Sequence, residues 1–274
     1  MAPQIELAIT YIDLEKGQKI YFASDVHLGL PNYEISLRRE KHFVNWLNMV
    51  RQDAAAIYLV GDIFDFWWEY KKVAPRGFTR FLGTIANITD SGIPVHLFTG
   101  NHDIWIKDYL PQETGVILHT EEFIFEENNK RFFVAHGDGL GPGDHKFKLL
   151  KRIFTNKFLQ WGFSRLHPNF ALWLGHSWSV NSRYTQGKIP PFFGVDKEWL
   201  ILFAKEKLQK EHFDYFIFGH RHLALDIMLN KNSKFLNLGD WISNFTYAIF
   251  DGNDLKLKKF LPPTELNLNP DGLE

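Results

Sequence analysis

The chain of 274 residues contains no cysteine. That excludes disulfides and thiolate metal sites, and it fits a reducing compartment. The chain also lacks a dominant charge: a net charge of -1 gives no global argument for a nucleic-acid partner, and none is expected. No apolar run is long enough to span a membrane. The start, Met1 to Glu6, lacks the basic-then-apolar pattern of an export signal, so no signal peptide is expected. One absence is local. Between His145 and Val195 there is no Asp or Glu, although Lys146, Lys148, Lys151, Arg152, Lys157, Arg165, Arg183 and Lys188 all fall there. What the chain has in plenty is aromatic carbon, with 26 Phe and 9 Trp. At 45% apolar and 23% charged residues it can bury the core of one large α/β domain.

Several apolar stretches end alike. Tyr21-Phe22-Ala23-Ser24 leads to Asp25-Val26-His27, and Ala56 to Val60 leads to Gly61-Asp62. Val95 to Thr99 leads to Gly100-Asn101-His102-Asp103, and Phe132 to Ala135 leads to His136-Gly137-Asp138. Tyr215 to Phe218 leads to Gly219-His220-Arg221-His222. Each reads as a buried strand delivering Asp, Asn or His from its carboxyl end. Imidazole and carboxylate together are the ligand set of zinc or a first-row transition metal. Asp25 and His27, like His220 and His222, stand two apart, which on a strand puts both side chains on one face. Singly, each has a plain structural reading: Asp62 as a turn or cap residue, Asn101 as a turn amide, His136 as a histidine at a bend. Two such pairs on separate strands are hard to explain that way.

In order, D-x-H, G-D, G-N-H, H-G and G-H-x-H, these motifs resemble those of the calcineurin-like metallophosphoesterases. The resemblance implies an α/β fold of two packed mixed β-sheets flanked by helices, with two divalent cations at the strand ends and a phosphoester or pyrophosphate as substrate. On the family's pattern Asp25, His27, Asp62 and His222 bind one cation, and Asp62, Asn101, His136 and His220 the other. The two oxygens of the shared Asp62 carboxylate would hold cations about 3.5–4 Å apart. Mn²⁺ is the cation the resemblance implies, and the N/O ligands also accept Zn²⁺ or Fe. His102 stands outside the metal set. With Asn101 it would contact the phosphate, and it would protonate the leaving oxygen, a role suited to a group titrating near neutral pH, with Asp103 orienting it. Asp240, in Gly239-Asp240-Trp241, is either a support for a metal ligand or a turn residue.

Within the family the chain is most similar to the branch that cleaves the pyrophosphate of UDP-2,3-diacylglucosamine in lipid A biosynthesis, giving UMP and an acylated sugar phosphate. The features are the length, the short spacing from Asp25 through Asp62 to Asn101, Ser91-Gly92-Ile93-Pro94, and His136-Gly137-Asp138 followed by an insertion. The best-known members of that branch carry Arg where this chain has His102. The branch implies a cytoplasmic protein, peripheral on the inner membrane. A phosphodiesterase or nucleotide pyrophosphatase with a soluble substrate, and a non-catalytic scaffold of the same fold, are the alternatives. The complete ligand set argues against the scaffold.

Periodicity predicts strands over 5–12 and 19–23, helices over 36–51 and 77–89, a hairpin at 123–126 and 131–135, a helix over 196–211 with Asp196 as N-cap, and strands near 224–229, 234–238 and 246–250. Alternating strands and helices before residue 101 imply parallel pairing. The acid-free segment 145–195 reads as a helical insertion capping the site. Phe147, Leu150, Phe154, Phe158 and Trp161 recur in it at helical spacing, and Arg183 and Lys188 are candidate phosphate or sugar contacts. Basic and aromatic groups without acid suit an anionic membrane surface. The Trp67-Trp68 loop is a candidate neighbour of the cap.

Overall fold

The computed structural model describes residues 10–11, 14–142, 145–186 and 191–263, without the side chains of 10–11, 145–147 and 180–186. Strands β1 (Thr10–Tyr11) and β2 (Lys19–Ala23) precede helix α1 (Tyr33–Val50), β3 (Ala54–Val60), α2 (Thr79–Asp90), β4 (Val95–Phe98), α3 (Tyr109–Thr114) and β5 (Ile117–His119). Then come β6 (Phe123–Glu127), β7 (Lys130–Ala135), α4 (His145–Phe154), α5 (Lys157–Phe163), α6 (Pro168–Gln186) and α7 (Trp199–Leu208). The chain continues through β8 (Tyr215–Phe218), β9 (Ala224–Met228), β10 (Lys234–Leu238), β11 (Thr246–Phe250) and β12 (Leu255–Lys259).

Two six-stranded mixed sheets result, in the orders β1-β6-β7-β8-β10-β9 and β12-β11-β2-β3-β4-β5. From β2 to β5 the pairing is parallel, as the alternation predicts. Strand periodicity builds the layers. Along β2 and β3, Ile20, Phe22, Ala56, Tyr58 and Val60 point between the sheets, while Tyr21, Ala23, Ile57 and Leu59 point outward onto α1 and α2. Part of the Phe content fills the space between the sheets: Phe22 stacks on Tyr58 and Phe125 on Phe132, with centroids 5.0 and 4.5 Å apart. On the far face Phe216, Phe218 and Phe235 meet Leu200 and Ala204 of α7.

Local chemistry moves several element boundaries from their expected positions. Helix α1 starts three residues early because Asn32 Oδ1 accepts the Ile35 amide at 3.0 Å. Helix α2 is capped from outside, Glu40 Oε1 accepting the Arg80 and Phe81 amides. Asp196 is not the cap of α7. That helix begins at Trp199 with Glu198 at the N-cap position, and the Glu198 carboxylate is taken by Arg221 at 2.6 Å. Asn128 and Asn129, both at positive φ, make the tight turn of the β6–β7 hairpin. Of the expected strand 5–12 only 10–11 lie within the described residues. The periodic run Phe147 to Trp161 is two helices rather than one. Asn156 accepts the Phe158 and Leu159 amides and starts α5 anew, so Phe154 turns inward while Phe158 and Trp161 stay exposed.

Candidate metal centre

Asp25, Asp62, Asn101, His136 and His220 leave the carboxyl ends of β2, β3, β4, β7 and β8, and the sandwich brings these ends together. The backbone there is unusual. Asp25, His27, Asp62, His220 and His222 all adopt φ between 49° and 66°. Left-handed backbone is costly for residues with a Cβ and persists where the surroundings over-determine it. Hydrogen bonds between the loops supply that constraint: the Asp25 and His27 amides donate to Gly61 and Asp62 carbonyls, and Arg39, almost wholly buried, donates to the His27 and Leu30 carbonyls. Gly100 is glycine because a Cβ there would fall inside the Asp62 carboxylate.

The seven expected ligands converge as two sets. Asp25, His27 and His222 have ligand atoms within 4.8 Å of one another, and so do Asp62, His136 and His220. In the first set His27 Nε2 and His222 Nε2 are 3.2 Å apart, and His222 Nε2 is 3.4 Å from Asp25 Oδ1. In the second, Asn101 Oδ1 lies 2.8 Å from His220 Nδ1 and 3.3 Å from His136 Nε2. Asp62 joins them differently from the expected two-oxygen bridge. Its Oδ1 accepts the His102 amide at 2.8 Å, while Oδ2 lies 3.4 Å from His136 Nε2 and 3.8 Å from His27 Nε2. A single oxygen thus faces both sets.

The donor chemistry fits cations. His136 Nδ1 lies 2.9 Å from the Val60 carbonyl, which can only accept, so Nδ1 carries a proton and Nε2 is the nitrogen turned toward the Asn101 and Asp62 oxygens, where a second proton or a cation would sit. A ring nitrogen and two acceptor oxygens meeting in a buried space need positive charge between them, which a bound cation supplies in place of the proton. Burial alone would raise the Asp62 carboxyl, but His136, His102 and His27 hold it well below the usual range. Burial likewise pushes His136 down, and Asp62 and Asp25 more than reverse it, to about 10. Burial, with His136 beside it, takes His220 down to about 4. The buried carboxylates draw positive charge to this spot.

Asp240 lies in a supporting position. Its Oδ2 is 3.5 Å from His222 Nδ1, and Oδ1 accepts the Ile242, Ser243 and Asn244 amides. Asp103 does not orient His102 as expected. Its carboxylate, pushed up to about 7 by burial and by Asp62, accepts the amides of Gly100, Ile63 and Phe64 and so holds the Asp62 loop. The His102 ring is held instead through Nδ1, 2.9 Å from the Asp65 carbonyl and 3.3 Å from Ser179 Oγ of α6. Sequence reasoning missed Asp65, fully buried three residues past Asp62; its signal was a lone acid inside an aromatic run. It also missed Ser179 and His176, which carry no motif. Lys188 and the Arg183 side chain lie outside the described residues.

A sequence profile of the calcineurin-like phosphoesterase family matches residues 18–224. The chain belongs to that family. A UDP-2,3-diacylglucosamine hydrolase of Porphyromonas gingivalis is 40% identical over 253 residues, which span 88% of this chain and 97% of that protein. A protein of the same name from Actinobacillus succinogenes is 25% identical over 224 residues, 81% of this chain and 92% of its own. A dimetal phosphatase from Danio rerio superposes with a TM-score of 0.46 at 16% identity, over 89% of this chain and 96% of that one. As a calcineurin-like phosphoesterase the chain is a metal-dependent hydrolase of phosphoesters or phosphoric anhydrides, with candidate ligands for divalent cations at its strand ends.

Proposed function

We propose that this hydrolase cleaves the pyrophosphate of UDP-2,3-diacylglucosamine, giving UMP and 2,3-diacylglucosamine 1-phosphate, at the cytoplasmic surface of the inner membrane. The name shared by its relatives supports the substrate class. The observation that carries the reading is the acid-free segment, which we take as the cap over residues 145–195. Its helices reach the reaction centre at one end and offer aromatic surface at the other. Trp178 of α6 has its ring 6.2 Å from that of His102, and Phe154 stacks edge-on to Trp178 at 5.2 Å and near Trp105 at 4.8 Å. Trp68 meets Phe163 of α5 at 4.6 Å, so the aromatic loop is the cap's neighbour, although Trp67 and Trp68 are buried. Farther out Phe158, Trp161, Phe170 and Trp173 are exposed. A substrate with a charged pyrophosphate and two hydrocarbon chains needs these two environments side by side, and each buried methylene contributes about 0.8 kcal/mol.

Asp25, His27, Asp62 and His222 would hold one cation and Asp62, Asn101, His136 and His220 the other, with Mn²⁺ as our assignment. When bound, the cations would supply Lewis acidity toward the phosphoryl oxygens and an activated water. The chain's own residues do the rest. Val60 and Asp240 fix the faces that His136 and His222 present. His102, with its Nδ1–H on the Asp65 carbonyl, keeps Nε2 for the leaving oxygen. The exposed aromatics among Lys157, Arg165 and Arg152 suit an anionic lipid surface; among the described residues no helix is long and apolar enough to cross a membrane.

Phe154→Ser tests the reading. The Michaelis constant for the diacylated substrate should rise about 10-fold, the loss of a few methylene equivalents, with hydrolysis of bis(p-nitrophenyl) phosphate unchanged. Equal loss on both substrates would mean that the cap merely supports the fold.

A further inference from the structure

Helix α6 brings two polar side chains to the surroundings of Asp65. Ser179 is fully buried against His102. His176, three residues earlier and therefore on the same face, has Nδ1 3.8 Å from Asp65 Oδ2. The other oxygen, Asp65 Oδ1, lies 3.7 Å from His27 Nδ1 and 3.8 Å from His102 Nδ1. Three imidazoles thus surround one buried carboxylate, each turning Nδ1 toward it, with Nε2 on the opposite edge of the ring. For His27 that opposite edge lies among the candidate ligand atoms. The His176 side chain is 44% exposed, against 0% and 12% for His27 and His102, so it is the one open to an incoming molecule. Its seat is close-packed. A Cβ on Gly175 would collide with the Phe66 ring, and one on Gly29 would lie 3.3 Å from His176 Cε1.

We propose that His176 is a substrate-contacting residue that binds the second phosphoryl group of a diphosphate, the one not under attack between the two ligand sets. The proposal rests on the pyrophosphate reading above. A diphosphate carries negative charge on both phosphoryl groups. The candidate ligands serve cations that would meet the first group, and the second needs an N–H donor that is not itself a ligand. With Nδ1 on the Asp65 side, 3.8 Å from Oδ2, the His176 ring presents Nε2 outward, where an N–H can be given to a phosphoryl oxygen. The helix that carries it has no acid to repel the anion.

Calorimetric titration of the Mn²⁺-loaded protein with methylenediphosphonate and with orthophosphate tests this. Loss of one charge-assisted hydrogen bond predicts that His176→Ala weakens the diphosphonate about 10-fold or more and leaves orthophosphate within about 2-fold. Metal content should be unchanged, and His176→Arg, which also gives N–H donors, should keep the diphosphonate affinity. Unchanged diphosphonate binding in His176→Ala, or an equal fall for both anions, would overturn the assignment. A wild-type protein that binds diphosphonate no better than orthophosphate would remove the pyrophosphate reading and this proposal with it. Normal discrimination in the wild type with no effect of His176→Ala would remove the proposal alone.

Discussion

Asp62 Oδ2 stands between the two ligand sets, and Oδ1 is tied to the backbone amide of His102. Asp62→Ala should therefore lose both cations and nearly all turnover while keeping native circular dichroism, because the carboxylate is buried but is held by surrounding loops rather than holding the core. Metal analysis beside an activity assay checks this, and near wild-type turnover in Mn²⁺-replete buffer would contradict the bridging role. His102 makes a different prediction. Its ring contacts Asp65 and Ser179, and we assign it no cation. His102→Ala should lower kcat by about 10²–10⁴, the usual worth of a general acid, with metal stoichiometry unchanged. Loss of one cation in that variant would show that the imidazole is a ligand. The candidate ligands were legible because each follows a strand in a fixed order. The partner of His102 was not: Asp103 is next in sequence, but its carboxylate is taken by the backbone amides of Gly100, Ile63 and Phe64, which leaves Asp65, from another loop, to meet the ring.

At the scale of elements, strands were easier to read than helix ends. β2, β3 and β8 are covered on both faces, so they are buried almost throughout and read in the sequence as near-continuous apolar runs. The start of α7 could not be read, since the pairing of Glu198 with Arg221 brings together residues 23 apart. The break between α4 and α5 turns on a single capping Asn156. That break separates the inward Phe154 from the exposed aromatics of α5. Phe158 and Trp161 on α5 stack at 5.9 Å, with Arg165 over the Trp161 ring, and Phe170 and Trp173 on α6 stack at 5.8 Å. If this outer surface rests on lipid, the protein should co-sediment with phosphatidylglycerol vesicles more than with phosphatidylcholine ones. Phe158→Ser with Trp161→Ser should abolish most of that binding and leave turnover of a soluble phosphodiester intact. Equal sedimentation of variant and wild type would exclude this face as the contact.

For the molecule as a whole, the account joins a hydrophilic centre at the ends of two sheets to an aromatic segment that approaches it through Trp178. The sandwich and the order of ligands belong to the family. We assign the choice of substrate to the segment 145–195, which lacks motifs and stands out only by its Phe, Trp, Lys and Arg without acid. The most direct measurement is a product analysis. The purified protein, stripped of metal and then reloaded with Mn²⁺, would be given UDP-2,3-diacylglucosamine or unacylated UDP-N-acetylglucosamine, and the products resolved by mass spectrometry. The account predicts Mn²⁺-dependent release of UMP and 2,3-diacylglucosamine 1-phosphate, with kcat/KM for the unacylated substrate lower by about 100-fold or more, since even a few buried methylenes are worth that much. Equal cleavage of both nucleotide sugars, or none of the acylated one, would contradict it.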